Sequence, residues 1–364
     1  MPQLDQNALQ ELVGRVVDPW LEQSLADAGA VQGVRVGDSG IEVRITLPYA
    51  GLLEHETLRS QIKAALDAEC AGKNLDIQIS QKVLAGPDRP SLPGLEGVRN
   101  IIAVASGKGG VGKSTTTTNL ALALHRQGAR VGVLDADIYG PSQGMMLGVR
   151  SGTRPESADE KYFLPVMAQG IQVMSMSFLV DDNTPMVWRG PMVSGAMQQL
   201  LNQTLWKDLD YLLIDMPPGT GDIQLTLSQR VPVTAAIIVT TPQDIALLDA
   251  CKGIEMFRKV DIPVLGVIEN MSTHVCSNCG HEESIFGAGG GEKLAKDYEC
   301  ELLGQLPLAM AIREQADSGQ ATVVADPDGP NARRYLEIAC RVSARLARRR
   351  QQARAVPNIS IHAD

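Results

Sequence analysis

Residues 107–114, with the sequence GKGGVGKS, constrain the fold of this chain more than any other stretch. An apolar, β-branched run at 101–104 comes directly before them, and residues 115–127 carry apolar side chains at helical spacing. A strand, a glycine-rich loop and a helix in this order are typical of a phosphate-binding P-loop. Its glycines allow a tight turn and bring N–H groups close to phosphate oxygens. The alternative is an ordinary glycine loop that matches the pattern by chance.

Two side chains at the end of this loop predict its ligand. Lys113 is expected to reach the β- and γ-phosphates of a nucleotide, and the Ser114 hydroxyl is expected to bind Mg²⁺. The N-terminus of the following helix adds a partial positive charge. The residues that we expect at the nucleotide are Gly107, Lys108, Gly109, Gly110, Val111, Gly112, Lys113, Ser114 and Thr115.

Composition limits the classes of protein to which the chain can belong. Its 364 residues are 44% apolar and carry a net charge of −9, which disfavours binding to nucleic acid or anionic lipid. No apolar run approaches the roughly 20 residues of a membrane span, and the N-terminus lacks the pattern of a secretory signal. Six cysteines in a chain of this length do not indicate a disulfide scaffold. We therefore expect a cytoplasmic protein with reduced thiols.

The pattern of predicted elements divides the chain into a small domain and a large one. An α-β-β-α-β pattern over residues 1–83 predicts a small α+β domain, with helical periodicity at 4–25 that is interrupted at Pro19. A Pro/Gly-rich linker at 84–97 leads to a P-loop domain at 98–350, and residues 351–364 form a tail. Strands and helices alternate in the large domain, which predicts an α/β fold with a doubly wound, mostly parallel sheet. Its strands are expected at 101–104, 129–134, 171–176, 211–215, 235–240, 264–268 and 301–304.

Arginines are concentrated in the last helix of the sequence. We expect them to form a solvated helix end, which also suits the helix dipole. The alternative is a non-specific contact with nucleic acid or a membrane. They are Arg341, Arg345, Arg348, Arg349, Arg350 and Arg354.

Carboxylates follow two of the predicted strands. Asp215 ends a buried strand, where it can hold Mg²⁺ beside the P-loop serine, and the loop 216–222 after it is a candidate switch loop. Asp135 and Asp137 end another strand, and one of them could orient or deprotonate an attacking water. Otherwise both are helix caps or solvated turn residues. Asn270 ends a third strand, and its amide has the donor and acceptor to pair with adenine, although a turn residue is the alternative.

Cys276 and Cys279 form a C-x-x-C pair on a predicted turn, which places two thiolates on one side of a knuckle. Iron–sulfur clusters usually take four thiolates, so a symmetric dimer would supply two from each chain. One alternative is a zinc knuckle that adds His274 and His281, but it crowds four ligands into eight residues. The other is a redox dithiol.

The sequence resembles the Mrp/ApbC family of iron–sulfur cluster carrier proteins, within the "deviant" P-loop ATPases that include partition and septum-positioning proteins. The resemblance covers about residues 98–340, and the small N-terminal domain is similar to that of bacterial members. It is carried by the strings GKGGVGKST, DADIYGPS, WRGPM, DMPPGTGD, ENMS, CSNCG and IFGAGGGEKLA.

This resemblance implies roles for individual residues. It implies that Lys108 reaches the partner's nucleotide across a dimer, that Asp137 positions the attacking water, and that Asn270 lies at the base. Lys108, Lys113 and Asp137 are then the catalytic residues. Ser114 and Asp215 would hold Mg²⁺.

The function that we expect is that of an ATP-binding, slowly hydrolysing homodimer. It would hold a bridging 4Fe–4S cluster and pass it to apoproteins, with cluster assembly machinery as a further partner. The first alternative is a spatial-organiser ATPase of the partition type, which needs no cysteine pair. The second is a reductase of the nitrogenase iron-protein type, whose two cysteines lie far apart in sequence.

Overall fold

The computed structural model describes residues 5–37, 40–70, 73–86, 95–179, 190–276 and 278–355, with the backbone alone at 190–194, 222, 354 and 355. The chain forms two compact units. The first lies within Met1–Pro87, Arg126–Gly128 and Cys340–Asp364, and the second within Asp88–His125 and Ala129–Ala339. None of the described helices is both long and apolar enough to cross a membrane.

The first unit is organised around a three-stranded sheet. Its elements are α1 (Gln6–Gly14), β1 (Val17–Asp18), β2 (Gln23–Ser24), β3 (Val31–Gly37), β4 (Gly40–Leu47), α2 (His55–Leu66) and β5 (Leu75–Gln81). The middle strand, β4, pairs antiparallel with β3 and parallel with β5. Every second residue of β4 is buried, which is the period-two pattern of a sheet with one covered face.

The predicted helix over residues 4–25 is wrong beyond Gly14, where α1 ends. The chain turns back there, and the Gly14 carbonyl accepts the N–H of Ala26 at 3.0 Å. The side chain of Asp18 then accepts the N–H groups of Trp20 and Leu21 at 2.9 and 2.8 Å. Such bonds give the backbone an alternative to helix, and the short β1–β2 pair forms instead.

The second unit contains the P-loop and a large sheet. Its strands are β6 (Ile101–Ala105), β7 (Val131–Asp135), β8 (Ser157–Ala158), β9 (Tyr162–Phe163), β10 (Val166–Ala168), β11 (Ile171–Ser175), β12 (Tyr211–Asp215), β13 (Ala235–Thr240), β14 (Val264–Glu269), β15 (His274–Val275), β16 (Glu282–Glu283) and β17 (Glu301–Gln305). The eight-stranded sheet has the order β10-β11-β7-β12-β6-β13-β14-β17. All neighbours are parallel except β10, which pairs antiparallel with β11 at the edge.

Helices alternate with these strands. They are α3 (Lys113–Arg126), α4 (Gln143–Met146), α5 (Gly190–Gln203), α6 (Asp222–Arg230), α7 (Asp244–Lys259), α8 (Gly290–Asp297), α9 (Met310–Asp317), α10 (Thr322–Ala325) and α11 (Pro330–Ala355). The predicted doubly wound, mostly parallel α/β fold is confirmed, and all seven predicted strands are present. Because strand order reverses at β6, the crevice at its carboxyl end is where such folds bind ligands.

The C-terminal part of α11 belongs to the first unit. Ala344 and Ala347 lie in the hydrophobic core of that unit, and the Ser343 hydroxyl accepts the N–H of Ala50 at 2.7 Å. Residues 340–350, which we expected in the P-loop domain, therefore group with the N-terminal residues. The reason is packing: this turn of α11 supplies small apolar side chains to a core that starts more than 300 residues earlier.

Three of the C-terminal arginines have partners in the first unit, so the expected solvated helix end is wrong for them. Arg345 and Arg348 pair with the Glu22 carboxylate at 3.7 and 2.9 Å. The Arg341 guanidinium lies 6.0 Å from the centre of the Trp20 ring. The side chain of Arg354 and residues 356–364 of the predicted tail lie outside the described residues.

Candidate functional site

The predicted P-loop connects β6 to α3, as expected. Gly110 and Gly112 have φ angles of 80° and 82°, which favour glycine over residues with a Cβ. Gly107 is needed for a different reason, because a Cβ there would lie 2.2 Å from the backbone carbonyl carbon of Asp249 on α7. Thr115 lies in the first turn of α3. The loop therefore has the tight backbone that phosphate binding requires.

Lys113 brings the two predicted Mg²⁺ ligands together. Its ammonium group lies 2.6 Å from Asp215 Oδ1 and 3.2 Å from the Ser114 hydroxyl. Lys113 is 6% exposed and Asp215 is fully buried. One oxygen from β12 and one from α3 thus lie beside the same positive charge. Oxygen atoms of this kind are the ligands that a hard divalent cation prefers.

Asp215 is held by two further side chains. The Thr117 hydroxyl donates to Oδ1 at 3.1 Å, and the Gln143 amide donates to Oδ2 at 2.9 Å. The same Gln143 nitrogen donates to the Ser114 carbonyl at 3.0 Å, and its oxygen accepts from Thr118 at 2.8 Å. Sequence reasoning missed Gln143. Its only signal is its position shortly after the Asp135 strand end.

Asp135 and Asp137 have different environments at the end of β7. Asp135 Oδ2 accepts the N–H groups of Ser142 and Gln143 at 2.9 and 3.0 Å, so it supports the following loop. Burial, with a smaller contribution from the Asp215 charge, raises the pKa of Asp135 from 3.8 to about 7. Asp137 is half-buried, and burial raises its pKa while the Lys113 charge opposes that shift. The structure therefore brings both aspartates close to Lys113 and Asp215.

The loop after β12 contacts the residue that precedes the P-loop through the backbone. The Gly219 N–H donates to the Ser106 carbonyl at 3.0 Å. Gln224, on α6, donates to the carbonyls of Pro217 and Pro218 and holds this loop from the other side. Sequence reasoning did not single out Gln224. The contact with Ser106 suits the predicted switch loop, whose sensing role stays a prediction.

Lys108 lies at the start of the P-loop and is half-buried. Its carbonyl accepts the Ser106 hydroxyl at 2.9 Å, which fixes the backbone at this position. The contact that we expect between its side chain and a partner's nucleotide stays a prediction. Trp188 and Arg189 of the WRGPM string lie outside the described residues.

Asn270 follows β14 and lies against the P-loop. Its Nδ2 donates to the Val111 carbonyl at 2.9 Å. An amide offers one acceptor and two N–H donors, and this bond uses one of the donors. Contact between Asn270 and a nucleotide base stays a prediction, but its bond to the loop is a second role that the sequence did not show.

Cys276 and Cys279 lie in the β15–β16 hairpin, where the predicted turn is present. The Cys276 N–H donates to the His281 carbonyl at 2.9 Å, and the Gly280 N–H returns to the Cys276 carbonyl at the same distance. Gly280 has a φ of 71°, which closes the knuckle. Cys279 is exposed and Cys276 is half-buried, so both thiols are at the surface.

The knuckle favours the thiolate form of Cys276. The N–H groups of Asn278 and Cys279, and the Cys279 thiol, bond to the Cys276 sulfur and lower its pKa below the ordinary 9.0. A thiolate is the form that binds metal. Among the described residues, no group of three or more His, Cys, Asp or Glu side chains could hold a metal ion. The Cys₂His₂ zinc site that we considered is therefore not assembled, and His274 Nδ1 faces the Leu308 carbonyl at 3.2 Å.

Comparison with known proteins agrees with this geometry. The model of the family described as NUBPL iron-transfer P-loop NTPase, of the ParA class, matches residues 97–343. A second model, described as an iron–sulfur cluster assembly protein, matches residues 6–75.

Two similar proteins are both named iron–sulfur cluster carrier protein. The one from Pseudomonas fragi is 67% identical over 263 residues, which cover 72% of this chain and 92% of that protein. The one from Escherichia coli K12 is 51% identical over 328 residues, which cover 90% of this chain and 89% of that protein.

A solved structure is also similar. It is a nucleotide-binding protein from Archaeoglobus fulgidus in complex with ADP, 38% identical, with a TM-score of 0.57 over 65% of this chain and 91% of that one. Since the family model covers both the P-loop and the cysteine hairpin, and the relatives are more than 50% identical, this chain belongs to the NUBPL-type iron-transfer P-loop NTPases.

Proposed function

We propose that this protein binds and hydrolyses ATP and carries a 4Fe–4S cluster, bridged between two copies of the chain, to apoproteins in the cytoplasm. The observation that carries the proposal is a surface pair of thiols, one of them with a lowered pKa, on the same unit as a complete P-loop. The names of the relatives support the same cargo.

The nucleotide half of the proposal uses the cluster of charges at the ends of β7 and β12. The P-loop N–H groups and Lys113 would bind the phosphates, and Asp215 and Ser114 would hold Mg²⁺, which lowers the charge of the phosphates when bound. The two oxygens already converge on the Lys113 ammonium, so a cation suits them. Asp137 would hold the attacking water, and Lys108 would act on the nucleotide of the second protomer.

The cluster half of the proposal follows from counting ligands. One chain offers Cys276 and Cys279, and the described residues around them supply no third ligand. A cuboidal cluster takes four thiolates, so two chains related by a two-fold axis would complete the set. Transfer then requires thiolates of the acceptor to replace Cys276 and Cys279 one at a time, without a change in the oxidation state of the cluster.

Anaerobic reconstitution with iron and sulfide tests this cargo. We expect about four irons and four sulfides per two chains, in a species that elutes as a dimer. Cys276→Ser and Cys279→Ser should both abolish the brown chromophore and keep ATP binding. Cys300→Ser is the matched control, because Cys300 lies in the same unit outside the hairpin and should not change the iron content. Four irons per single chain, or zinc that survives reconstitution, would contradict the proposal.

Delivery is tested with an apoprotein that gains activity only when it receives a 4Fe–4S cluster. Loaded protein should activate it faster than the same concentration of free iron and sulfide, and a chelator should not block the transfer. A protein that hydrolyses ATP but never holds a cluster would instead support the spatial-organiser alternative.

A further inference from the structure

Asn270 holds one particular peptide of the P-loop. Its side chain is 9% exposed, and its Nδ2 donates to the Val111 carbonyl at 2.9 Å. Gly112 follows Val111, and a Cβ on Gly112 would lie 2.1 Å from Asn270 Nδ2. The glycine at this position therefore makes room for Asn270 as well as allowing the positive φ.

The bonded carbonyl and the N–H of Gly112 belong to the same planar peptide. In a trans peptide the carbonyl and the N–H point in opposite directions. The N–H groups of P-loops bond to phosphate, so a phosphate and Asn270 would engage opposite edges of the peptide between Val111 and Gly112. A reorientation of this peptide on phosphate binding would change the position of the acceptor that Asn270 requires.

The chain around Asn270 is paired with the segment that follows β17. The Leu306 N–H donates to the Glu269 carbonyl at 2.9 Å, and the Ser272 N–H donates to the Leu306 carbonyl at 3.0 Å. The Leu308 N–H donates to the Thr273 carbonyl at 2.7 Å. These bonds extend the sheet as far as β15, so a continuous hydrogen-bonded segment connects Asn270 to the cysteine hairpin.

This segment leads directly into the cysteine hairpin. Cys276 comes six residues after Asn270 and bonds through its N–H to His281 on the opposite side of the hairpin. Between them, Met271 has a φ of 58°, which residues with a Cβ rarely adopt. The unusual backbone at Met271 redirects the chain from β14 into the hairpin, at the residue next to the P-loop contact.

We propose that Asn270 is a positioning residue that couples the P-loop to the cysteine hairpin, so that phosphate at the Val111–Gly112 peptide changes the environment of Cys276 and Cys279. This inference rests on the proposed function, which assigns phosphate to the loop and the cluster to the two thiols. It adds the connection between them. In this role Asn270 acts through the loop backbone, independently of any contact with a base.

The test uses the cluster-free, reduced protein and a probe without a base. Inorganic tripolyphosphate with Mg²⁺ is added at saturation, with binding measured by calorimetry, and the alkylation rates of Cys276 and Cys279 are followed by peptide mass spectrometry. We expect the rate of at least one of them to change about fivefold, at the lower end of typical couplings. The buried Cys70, in the first unit, serves as the internal reference.

Variants separate the loop contact from general disturbance of the strand end. Asn270→Ala should remove the effect of tripolyphosphate on the alkylation rates. Asn270→Ser, whose hydroxyl is too short to replace the bond, provides a second variant if the first unfolds. Gln305→Ala is the matched control, because Gln305 donates to Glu269 at 2.8 Å, next to Asn270, and should keep the effect.

Three results would overturn the coupling role. The first is a wild-type protein that binds tripolyphosphate without any change in alkylation of the two cysteines. The second is an unchanged response in Asn270→Ala. The third is a response to ATP alone, which would place the coupling at the base. A protein that shows the coupling but holds no cluster would contradict only the proposed function, and failure to bind tripolyphosphate would contradict both.

Discussion

Replacing Gln143 with leucine removes the amide that joins Asp215 to the P-loop helix. Asp215 Oδ2 would lose a donor at 2.9 Å in a position without solvent exposure, where no water replaces it. Thr118 and the Ser114 carbonyl also lose this amide, but they remain bonded to each other at 3.0 Å. Leucine has a similar volume, so the change leaves little cavity. The main loss is therefore one hydrogen bond to a buried charge.

A hydrogen bond to a charged group contributes about 1.5–3 kcal/mol, and we expect Gln143→Leu to lower the free energy of unfolding by about 2–3 kcal/mol. Urea unfolding measures this loss in the second unit when it is followed by the fluorescence of the buried Trp206, in protein whose Trp20 and Trp188 are replaced by phenylalanine. Gln172→Leu is the control, because the Gln172 amide makes two hydrogen bonds, to the backbone of Lys207, at an exposed site.

Water can replace the bonds of Gln172, so its loss should stay below about 1 kcal/mol. Equal losses in the two variants would show that Gln143 does not stabilise a buried carboxylate.

Three further predictions concern the charged groups of the two sites. Lys113→Ala should weaken ATP binding in calorimetry, whereas Asp137→Ala should bind ATP normally and raise the hydrolysis barrier by about 2.7–4 kcal/mol, by analogy with other single catalytic groups. Equal turnover in wild type and Asp137→Ala would contradict that role. The alkylation rate of Cys276 should reach its midpoint below pH 9.0. That of Cys300 should reach its midpoint above pH 9.0, because burial raises the pKa of this thiol, and peptide mass spectrometry across pH distinguishes the two. Folded Asp135 keeps a proton up to about pH 7 whereas the unfolded chain releases it near 3.8, so its contribution to stability is lost as pH rises between these values. The urea midpoint should therefore fall more between pH 5 and pH 8 in wild type than in Asp135→Asn.

The nucleotide side of the site could be predicted because its chemistry is local or follows from topology. Lys113 and Ser114 are adjacent in the chain, and their loop lies between a recognisable strand and helix. Asp135 and Asp215 are far apart in sequence, but each ends an apolar strand. Parallel neighbours in a doubly wound sheet end at the same edge, so the two carboxylates meet once β7 and β12 pair.

Contacts made by amides could not be predicted in this way. Gln143 and Gln224 are ordinary residues of short helices in the sequence, and their roles depend on which carbonyl or carboxylate lies opposite after packing. Asn270 was predicted as a contact for the base from its strand end. Its bond to Val111 depends on a glycine 158 residues earlier in the chain, and no pattern within one strand encodes such a pair.

The end of α11 shows the same limit at the level of domains. Its arginines and alanines are typical of a solvated helix, and periodicity reports only that one face is less polar. Ala344 and Ala347 are nevertheless buried, because they pack into the hydrophobic core of the first unit. Burial of small residues yields little free energy each, and the ion pairs of the exposed Glu22 add little more, so the buried hydrogen bond between Ser343 and the Ala50 N–H is the most specific contact of this turn. The hydrophobic core of the first unit thus includes residues of the last helix of the chain, and the boundary of this unit cannot be placed at the linker alone.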